Sequence, residues 1–190
     1  MSHFNDENHK RTLVHSKKYK YRFVLKRTTI LAVKFNGGVI IGSDSRASIG
    51  GSYVSNKMIN KLIQVHDKIF CCIAGSLADA QAVTKMAKFQ LSFHSIQMEA
   101  PPLVKAAASV LKELCYNNRE ELQAGFITAD AKFKPDMSRE ECLQFTTNAL
   151  TLAIGRDNVS GGVVHMVVIT EDGVEHVVVP GDKLPKFHDE

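Results

Sequence analysis

The chain has 190 residues, of which 44% are hydrophobic, and this is enough for one globular domain with a sizeable core. No apolar run approaches the roughly 18 residues of a membrane span, and the first residues lack the apolar segment of a secretory signal. The net charge is +4, but residues 1–27 hold eight Lys/Arg and two acids, so the remainder is slightly acidic. We therefore expect no membrane partner and no nucleic-acid partner, because the basic charge is confined to a short leader.

The first strands are predicted from alternation and turn residues. Residues 28–35 alternate as a strand, residues 36–38 (Asn-Gly-Gly) form a hairpin turn, and residues 39–46 return. Residues 48–56 are typical of another turn with a short strand, and residues 68–76 of a buried strand. The N-terminal part is therefore predicted to be β-rich.

Two helices follow these strands. Ser76 with Asp79 predicts a capping box and a helix that runs to about Met98. Pro101-Pro102 is predicted to open a second helix over residues 103–122.

After a short link that holds a strand, a third helix and a hairpin close the chain. Ser138 with Glu141 predicts the start of a helix over residues 139–157. Residues 162–179 are predicted to form a hairpin whose turn holds Asp172-Gly173. Strands, then helices, then strands indicate an α+β fold in which helices cover sheets.

The cysteines do not have metal-binding spacing. Cys71 and Cys72 are adjacent in an apolar run, while Cys115 and Cys142 stand alone. We expect buried free thiols in a reducing compartment, with no metal site and no cofactor.

Thr28 and Thr29 follow Lys26-Arg27 at the junction of the basic leader and the first strand. Threonine is ordinary in strands, but it is also a nucleophile when its own α-amine acts as the base. An α-amine has a reference pKa of about 7.7–8.0, so near neutral pH an appreciable fraction accepts a proton. For this chemistry Thr28 must become the N-terminus through a cut after Arg27.

Several motifs occur in the order found in one enzyme family. The runs TTILAVKFNGGVIIGSDSR and NKLIQVHDKIFCCIAGSLADAQAV resemble the opening of catalytic proteasome β subunits, and FTTNALTLAIGRDNVSGGVVHMVVIT resembles their closing segment. Among the catalytic types, the chain is most similar to the caspase-like subunit and its interferon-inducible (immunoproteasome) replacement. The resemblance covers residues 28–187, with one interruption. It implies a four-layer α-β-β-α sandwich of the N-terminal-nucleophile hydrolase type, formed by residues 28–190 after a propeptide of residues 1–27.

The resemblance also implies a catalytic site. Thr28 would be the nucleophile, and Asp44 would pair with Lys61, whose cation would lower the proton affinity of the terminal amine. The Gly75 N–H would donate to the oxyanion. Two further residues would hydrogen-bond around the amine, namely Asp157 and Ser160. Each residue also has a structural alternative, such as a turn cap for the aspartate, a solvated surface lysine, or a glycine that permits a tight turn.

Five apolar residues fall at positions that shape the substrate pocket of this family: Ala47, Ile59, Ile63, Ile73 and Leu77. The caspase-like subunit carries a basic residue at the position of Ile73, which suits acidic side chains. A carboxylate buried here would lack a partner and would lose its hydration. The pocket therefore resembles the inducible form, which cleaves after hydrophobic residues and yields peptides for class I antigen presentation. Ile63 is equally compatible with an ordinary core position.

Three departures from the family pattern bear on activity. Arg27 replaces the Gly that gives the family the turn needed for self-cleavage, so processing would be slowed, would need another protease, or would not occur. One extra residue lies between Asp44 and Lys61, and a loop can absorb it. The third is a missing segment near residues 124–125.

In the family the missing segment supplies about three strands of ordinary length and a Ser-Gly pair that supports the terminal threonine; that Ser has no counterpart here. Its loss would shorten a sheet and leave unpaired edges and exposed core. We expect such a chain to be poorly stable or not incorporated. A skipped exon or an incorrect gene model is the simplest explanation.

The leading hypothesis is a threonine endopeptidase of the 20S proteasome. The resemblance implies a zymogen that becomes active with the other α and β subunits in a barrel of 28 subunits, degrading unfolded and ubiquitin-tagged proteins in cytoplasm and nucleus. One alternative is a non-catalytic, truncated β subunit. Another, an unrelated N-terminal-nucleophile hydrolase acting on small amides, is disfavoured because the resemblance extends into the pocket and the tail.

Overall fold

The computed structural model of the protein describes residues 28–49, 53–56, 58–119, 122, 124–128, 137–156 and 160–185. The predicted propeptide, including Arg27, lies outside the described residues, as does Asp157. The elements in chain order are β1 (Ile30–Phe35), β2 (Gly38–Asp44), β3 (Ala47–Ile49), β4 (Tyr53–Asn56), β5 (Leu62–His66), β6 (Ile69–Gly75), α1 (Leu77–Met98), α2 (Val104–Asn117), β7 (Ala124–Thr128), α3 (Arg139–Arg156), β8 (Val164–Thr170), β9 (Val174–Val179) and a 3-10 turn (Gly181–Lys183).

The first sheet has four antiparallel strands in the order β1-β2-β8-β9. Its first hairpin turns at Gly37, whose φ of 103° favours glycine, and this confirms the predicted Asn-Gly-Gly turn. The second hairpin turns at the predicted Asp172-Gly173, where the Thr170 N–H donates to the Gly173 carbonyl at 2.9 Å. Alternation and turn residues therefore predicted both hairpins.

The second sheet has, among the described residues, three antiparallel strands in the order β5-β6-β7. The strand predicted before the third helix is β7, and it pairs with β6 from Gly75↔Ala124 to Cys71↔Thr128. Strands β3 and β4 form a separate pair with an irregular register between Ala47 and Ser48.

Three apolar clusters separate four layers of secondary structure. One lies between α1, α2 and the second sheet, a second between the first sheet and α3, and a third between the two sheets. Representative members are, in that order, Val65, Cys71 and Leu91; Ile40, Leu150 and Met166; and Ile41, Leu62 and Cys72. This arrangement confirms the predicted α-β-β-α sandwich.

Helix boundaries separate correct local predictions from wrong ones. At the start of α3, the Ser138 N–H donates to Glu141 Oε2 and the Glu141 N–H donates to Ser138 Oγ, which confirms the capping box. Ser76 is the N-cap of α1, but its side chain makes no capping hydrogen bond, so the box predicted there is wrong. Helix α2 ends at Asn117 and not at residue 122, and asparagine is a poor helix former.

All four cysteines are free thiols. Burial raises the pKa of Cys71 and of Cys72 to about 12, so neither is a reactive thiolate near neutral pH. Within the described ranges, no helix combines the length and the apolar composition that crossing a membrane requires.

Candidate active site

A buried ion pair joins the two sheets at the end where β2 finishes and β5 begins. Lys61 Nζ donates to Asp44 Oδ1 at 2.7 Å and to Thr28 Oγ1 at 3.4 Å. The Asp44 and Lys61 residues are 0% and 5% exposed. The structure therefore brings together three of the predicted site residues, with the lysine between the hydroxyl and the carboxylate.

Backbone hydrogen bonds that continue the strand pairings beyond the strand ends position Thr28, Asp44 and Lys61. The Asp44 N–H donates to the Thr29 carbonyl at 3.2 Å, which continues the β1–β2 pairing, and the Ile73 N–H donates to the Lys61 carbonyl at 2.9 Å, which continues β5–β6. The extra residue between Asp44 and Lys61 therefore does not prevent Lys61 from reaching its partner.

The Asp44 carboxylate accepts four hydrogen bonds, two at each oxygen. Besides Lys61, the Thr29 N–H donates to Oδ1 at 3.2 Å, and the N–H groups of Arg46 and Gly161 donate to Oδ2 at 3.2 and 3.1 Å. A buried carboxylate needs such partners to offset its lost hydration. The position of Asp44 is consequently fixed by β1, β2 and the segment before β8.

Lys61 has a lowered pKa. Burial is the largest cause, Asp44 opposes it through its charge and hydrogen bond, and the Arg46 cation lowers the pKa further. A lysine whose neutral form is made more accessible in this way is suited to accept a proton from a neighbouring hydroxyl.

Of the other predicted catalytic residues, Gly75 and Ser160 are described, and they lie at the same end of the sandwich. Gly75 ends β6 with a φ of 90°, which favours glycine; its oxyanion role stays a prediction. Ser160, which is 1% exposed, places Oγ at 3.1 Å from Thr29 Oγ1. Its predicted contact with the Thr28 amine also stays a prediction.

Three of the five predicted pocket residues are close to Lys61, either along the chain or across the β5–β6 pairing. Ile59 and Ile63 lie two residues on either side of Lys61, and Ile73 lies opposite Lys61 on β6. Alternation along the strand therefore puts Ile63 on the lysine's side of the sheet, and Ile73 shares that side as the residue opposite Lys61. Ile73 is 2% exposed, whereas the other four pocket residues are half-buried, with Ala47 beginning β3 and Leu77 beginning α1.

Sequence reasoning missed Ser45 and Arg46, which hold the segment before β8 next to the end of β2. The Ser45 and Arg46 N–H groups both donate to the Gly161 carbonyl, at 3.2 and 3.0 Å. The Arg46 guanidinium packs so closely on Gly161 that a Cβ there would lie 2.3 Å from a guanidinium nitrogen. The Gly161-Gly162 pair was the available signal for such a close approach.

Thr29 was also missed, although it is bound to both Asp44 and Ser160. Sequence reasoning treated it only as a companion to Thr28. Among the described residues, no group of His, Cys, Asp and Glu side chains is placed to hold a metal ion.

Comparison with known proteins identifies the family. Residues 24–132, more than half of the chain, match the proteasome family model, described as "Proteasome subunit". "Proteasome subunit beta type-6-B like protein" of Salmo salar is 73% identical over 201 aligned residues, which cover 86% of this chain and 93% of that protein. "Proteasome subunit beta type-9" of Homo sapiens is 44% identical over 200 residues, covering 86% and 91% of the two chains.

The aligned length of 201 positions exceeds the 190 residues of this chain, so the Salmo salar relative has residues without a counterpart here. The location of that difference near residues 124–125 stays a prediction. The match to the family model, the coverage and the identities show that the chain is a member of the proteasome β-subunit family.

Proposed function

We propose that this chain is a threonine endopeptidase of the 20S proteasome, with Thr28 as its nucleophile. The supporting observation is the position of Lys61 Nζ, at 2.7 Å from Asp44 Oδ1 and 3.4 Å from Thr28 Oγ1. A nucleophile beside a base, with the base oriented by a third group, is the arrangement of covalent hydrolases.

The reaction begins with attack of Thr28 Oγ1 on the substrate carbonyl. Its proton passes to Lys61 or to the α-amine of Thr28, and the Gly75 N–H donates to the oxyanion of the tetrahedral intermediate. The same base then gives this proton to the departing amine product, which leaves an ester on Thr28 that water hydrolyses. Before the bond after Arg27 is cut, the Thr28 nitrogen is part of a peptide and Lys61 is the available base.

The specificity that we propose is cleavage after hydrophobic residues. Ile73 is almost completely buried and its neighbours in the pocket set are apolar, so a substrate carboxylate would find no partner among these side chains. This pocket supports the inducible type with its class I peptide products. Overall sequence identity does not favour the inducible type, since the beta type-6-like relative is 73% identical to this chain and beta type-9 is 44% identical.

Membership of the family implies assembly with other proteasome subunits. We propose that the partners are the α and β subunits of a 28-subunit barrel and that the protein acts in the cytoplasm and nucleus on unfolded or ubiquitin-tagged proteins. The proposed activity belongs to the assembled and processed state.

N-terminal sequencing of this chain in purified barrels tests the proposal. A chain that begins at Thr28 and is labelled there by a threonine-directed electrophile supports it. A barrel-bound chain that still carries Arg27, or that begins at Thr28 but is neither labelled nor active on peptides, contradicts it.

A non-catalytic β subunit is the second candidate. Arg27 stands directly before Thr28, and the chain lacks residues that its relative has. Sequencing combined with labelling distinguishes the two functions, because a barrel-bound chain that retains Arg27, or that is not labelled at Thr28, has only a structural role.

A further inference from the structure

Thr29, the residue after the candidate nucleophile, makes one hydrogen bond through its N–H and one through its hydroxyl. Its N–H donates to Asp44 Oδ1 at 3.2 Å, and its hydroxyl shares a hydrogen bond with Ser160 Oγ at 3.1 Å. Both partners are buried, at 0% and 1% exposure. The residue after the nucleophile is thus attached to the first sheet and to the segment before β8.

The contact to Asp44 closes a ring of interactions around Thr28. Asp44 Oδ1 accepts from the Thr29 N–H and from Lys61 Nζ, and Lys61 Nζ reaches Thr28 Oγ1. The ring is completed by the peptide bond between the two threonines. A shift of Thr29 therefore changes the distance between the Thr28 hydroxyl and Lys61.

The hydroxyl of Thr29 fixes the chain on the side that faces away from Lys61, through its hydrogen bond with Ser160. Successive side chains of an extended strand point to opposite faces, and here Thr28 contacts Lys61 while Thr29 contacts Ser160. Terminal residues are usually poorly ordered unless they are tied down. A nucleophile at a new N-terminus needs such fixation, because small misplacements cost large factors in rate.

We propose that Thr29 is a positioning residue, whose hydroxyl, through Ser160, holds the processed Thr28 at its working distance from Lys61. This inference rests on the proposed function of Thr28. It also explains why two threonines stand at the junction with the leader, since one supplies the nucleophile and the other fixes it.

The test uses barrels assembled with this full-length chain and compares Thr29→Val with Thr29→Ser. Valine keeps the shape and removes the hydroxyl, so we expect kcat to fall about tenfold with little change in KM. Serine keeps the hydroxyl, so we expect it to restore most of the lost kcat. Thr151→Val is the matched control, since that hydroxyl donates to the Thr147 carbonyl of its own helix at 2.7 Å.

A structure of the Thr29→Val barrel supplies a readout that does not depend on activity. We expect the distance from Thr28 Oγ1 to Lys61 Nζ to increase or the terminal residue to become less ordered. Unchanged kcat, an equal loss in the valine and serine variants, or an unmoved Thr28 overturns the proposal. If the unmutated chain is inactive, the proposed function fails by itself, while the structural comparison still decides the role of Thr29.

Discussion

The two sheets differ in what they contribute to the candidate site. The first sheet and the segments that extend it hold Thr28, Asp44 and Ser160, whereas the second sheet holds Lys61 and Gly75. Neither sheet alone carries both the nucleophile and the lysine that contacts it. The site therefore depends on the packing of one sheet on the other, and substitutions that separate the two contributions test this dependence.

The largest effect is expected at the ion pair that joins the sheets. Lys61→Ala removes one of the two candidate bases and leaves Asp44 buried without its cation, a change that typically costs about 3–5 kcal/mol of stability. Lys61→Arg keeps a cation for Asp44, but a guanidinium does not give up its proton in proteins. We expect both variants to lose about a thousandfold or more in peptide hydrolysis, with the arginine variant still assembled.

Peptidase assays and subunit composition of the purified barrels measure this prediction. Lys68→Ala, at an exposed position of the β5–β6 turn, is the control and should retain activity. An active Lys61→Arg variant would show that Lys61 is not the proton acceptor.

The next prediction separates the two faces of β2. Ile40 packs toward α3 and Ile41 packs between the sheets, and both are 0% exposed. Each change to alanine should cost about 2–5 kcal/mol, since each removes a buried side chain and leaves a cavity. Only Ile41→Ala loosens the contact between the sheets, so it alone should reduce kcat at a temperature where both variants remain folded. Thermal melting combined with steady-state kinetics measures the two effects, and equal kinetic losses contradict the comparison.

Local features of the fold were predictable because short-range chemistry determines them. The Gly37 turn needs a positive φ, and the Ser138–Glu141 box is formed by residues three positions apart. The capping box at Ser76 failed although its residue types and spacing were suitable. The spacing permitted that hydrogen bond, but the spacing alone did not determine the orientation of the Ser76 side chain.

The site was only partly predictable, because its contacts link residues far apart in the chain. Asp44 and Lys61 were identified through family resemblance and not by a local rule. The fit of Arg46 on Gly161 and the contact of Thr29 with Ser160 join positions more than 100 residues apart. No pattern within either segment specifies its partner, so these contacts required the folded structure.

A smaller effect is expected in the pocket on the side of the second sheet. Ile73→Arg places a cation where the chain has a buried apolar side chain, so an acidic residue before the cleaved bond gains a partner. We expect the ratio of kcat/KM for acidic over apolar peptides to rise about tenfold to a hundredfold. Ile73→Leu nearly conserves volume and should keep the original preference. An unchanged ratio in a variant that is still labelled at Thr28 places the pocket elsewhere.

The smallest effect concerns the Arg46 cation, which lies just after β2 of the first sheet and acts on Lys61, just before β5 of the second. Its charge lowers the pKa of Lys61, so Arg46→Met should raise that pKa. If neutral Lys61 accepts the Thr28 proton, kcat/KM rises with pH through the Lys61 pKa, and in the Arg46→Met variant this rise moves to higher pH. Arg46→Lys keeps the charge while changing the fit on Gly161, so its rise in kcat/KM should stay near that of the unmutated chain. If the rise in kcat/KM moves equally in both variants, the effect comes from packing on Gly161. If it moves to lower pH in the Arg46→Met variant, neutral Lys61 is not the base.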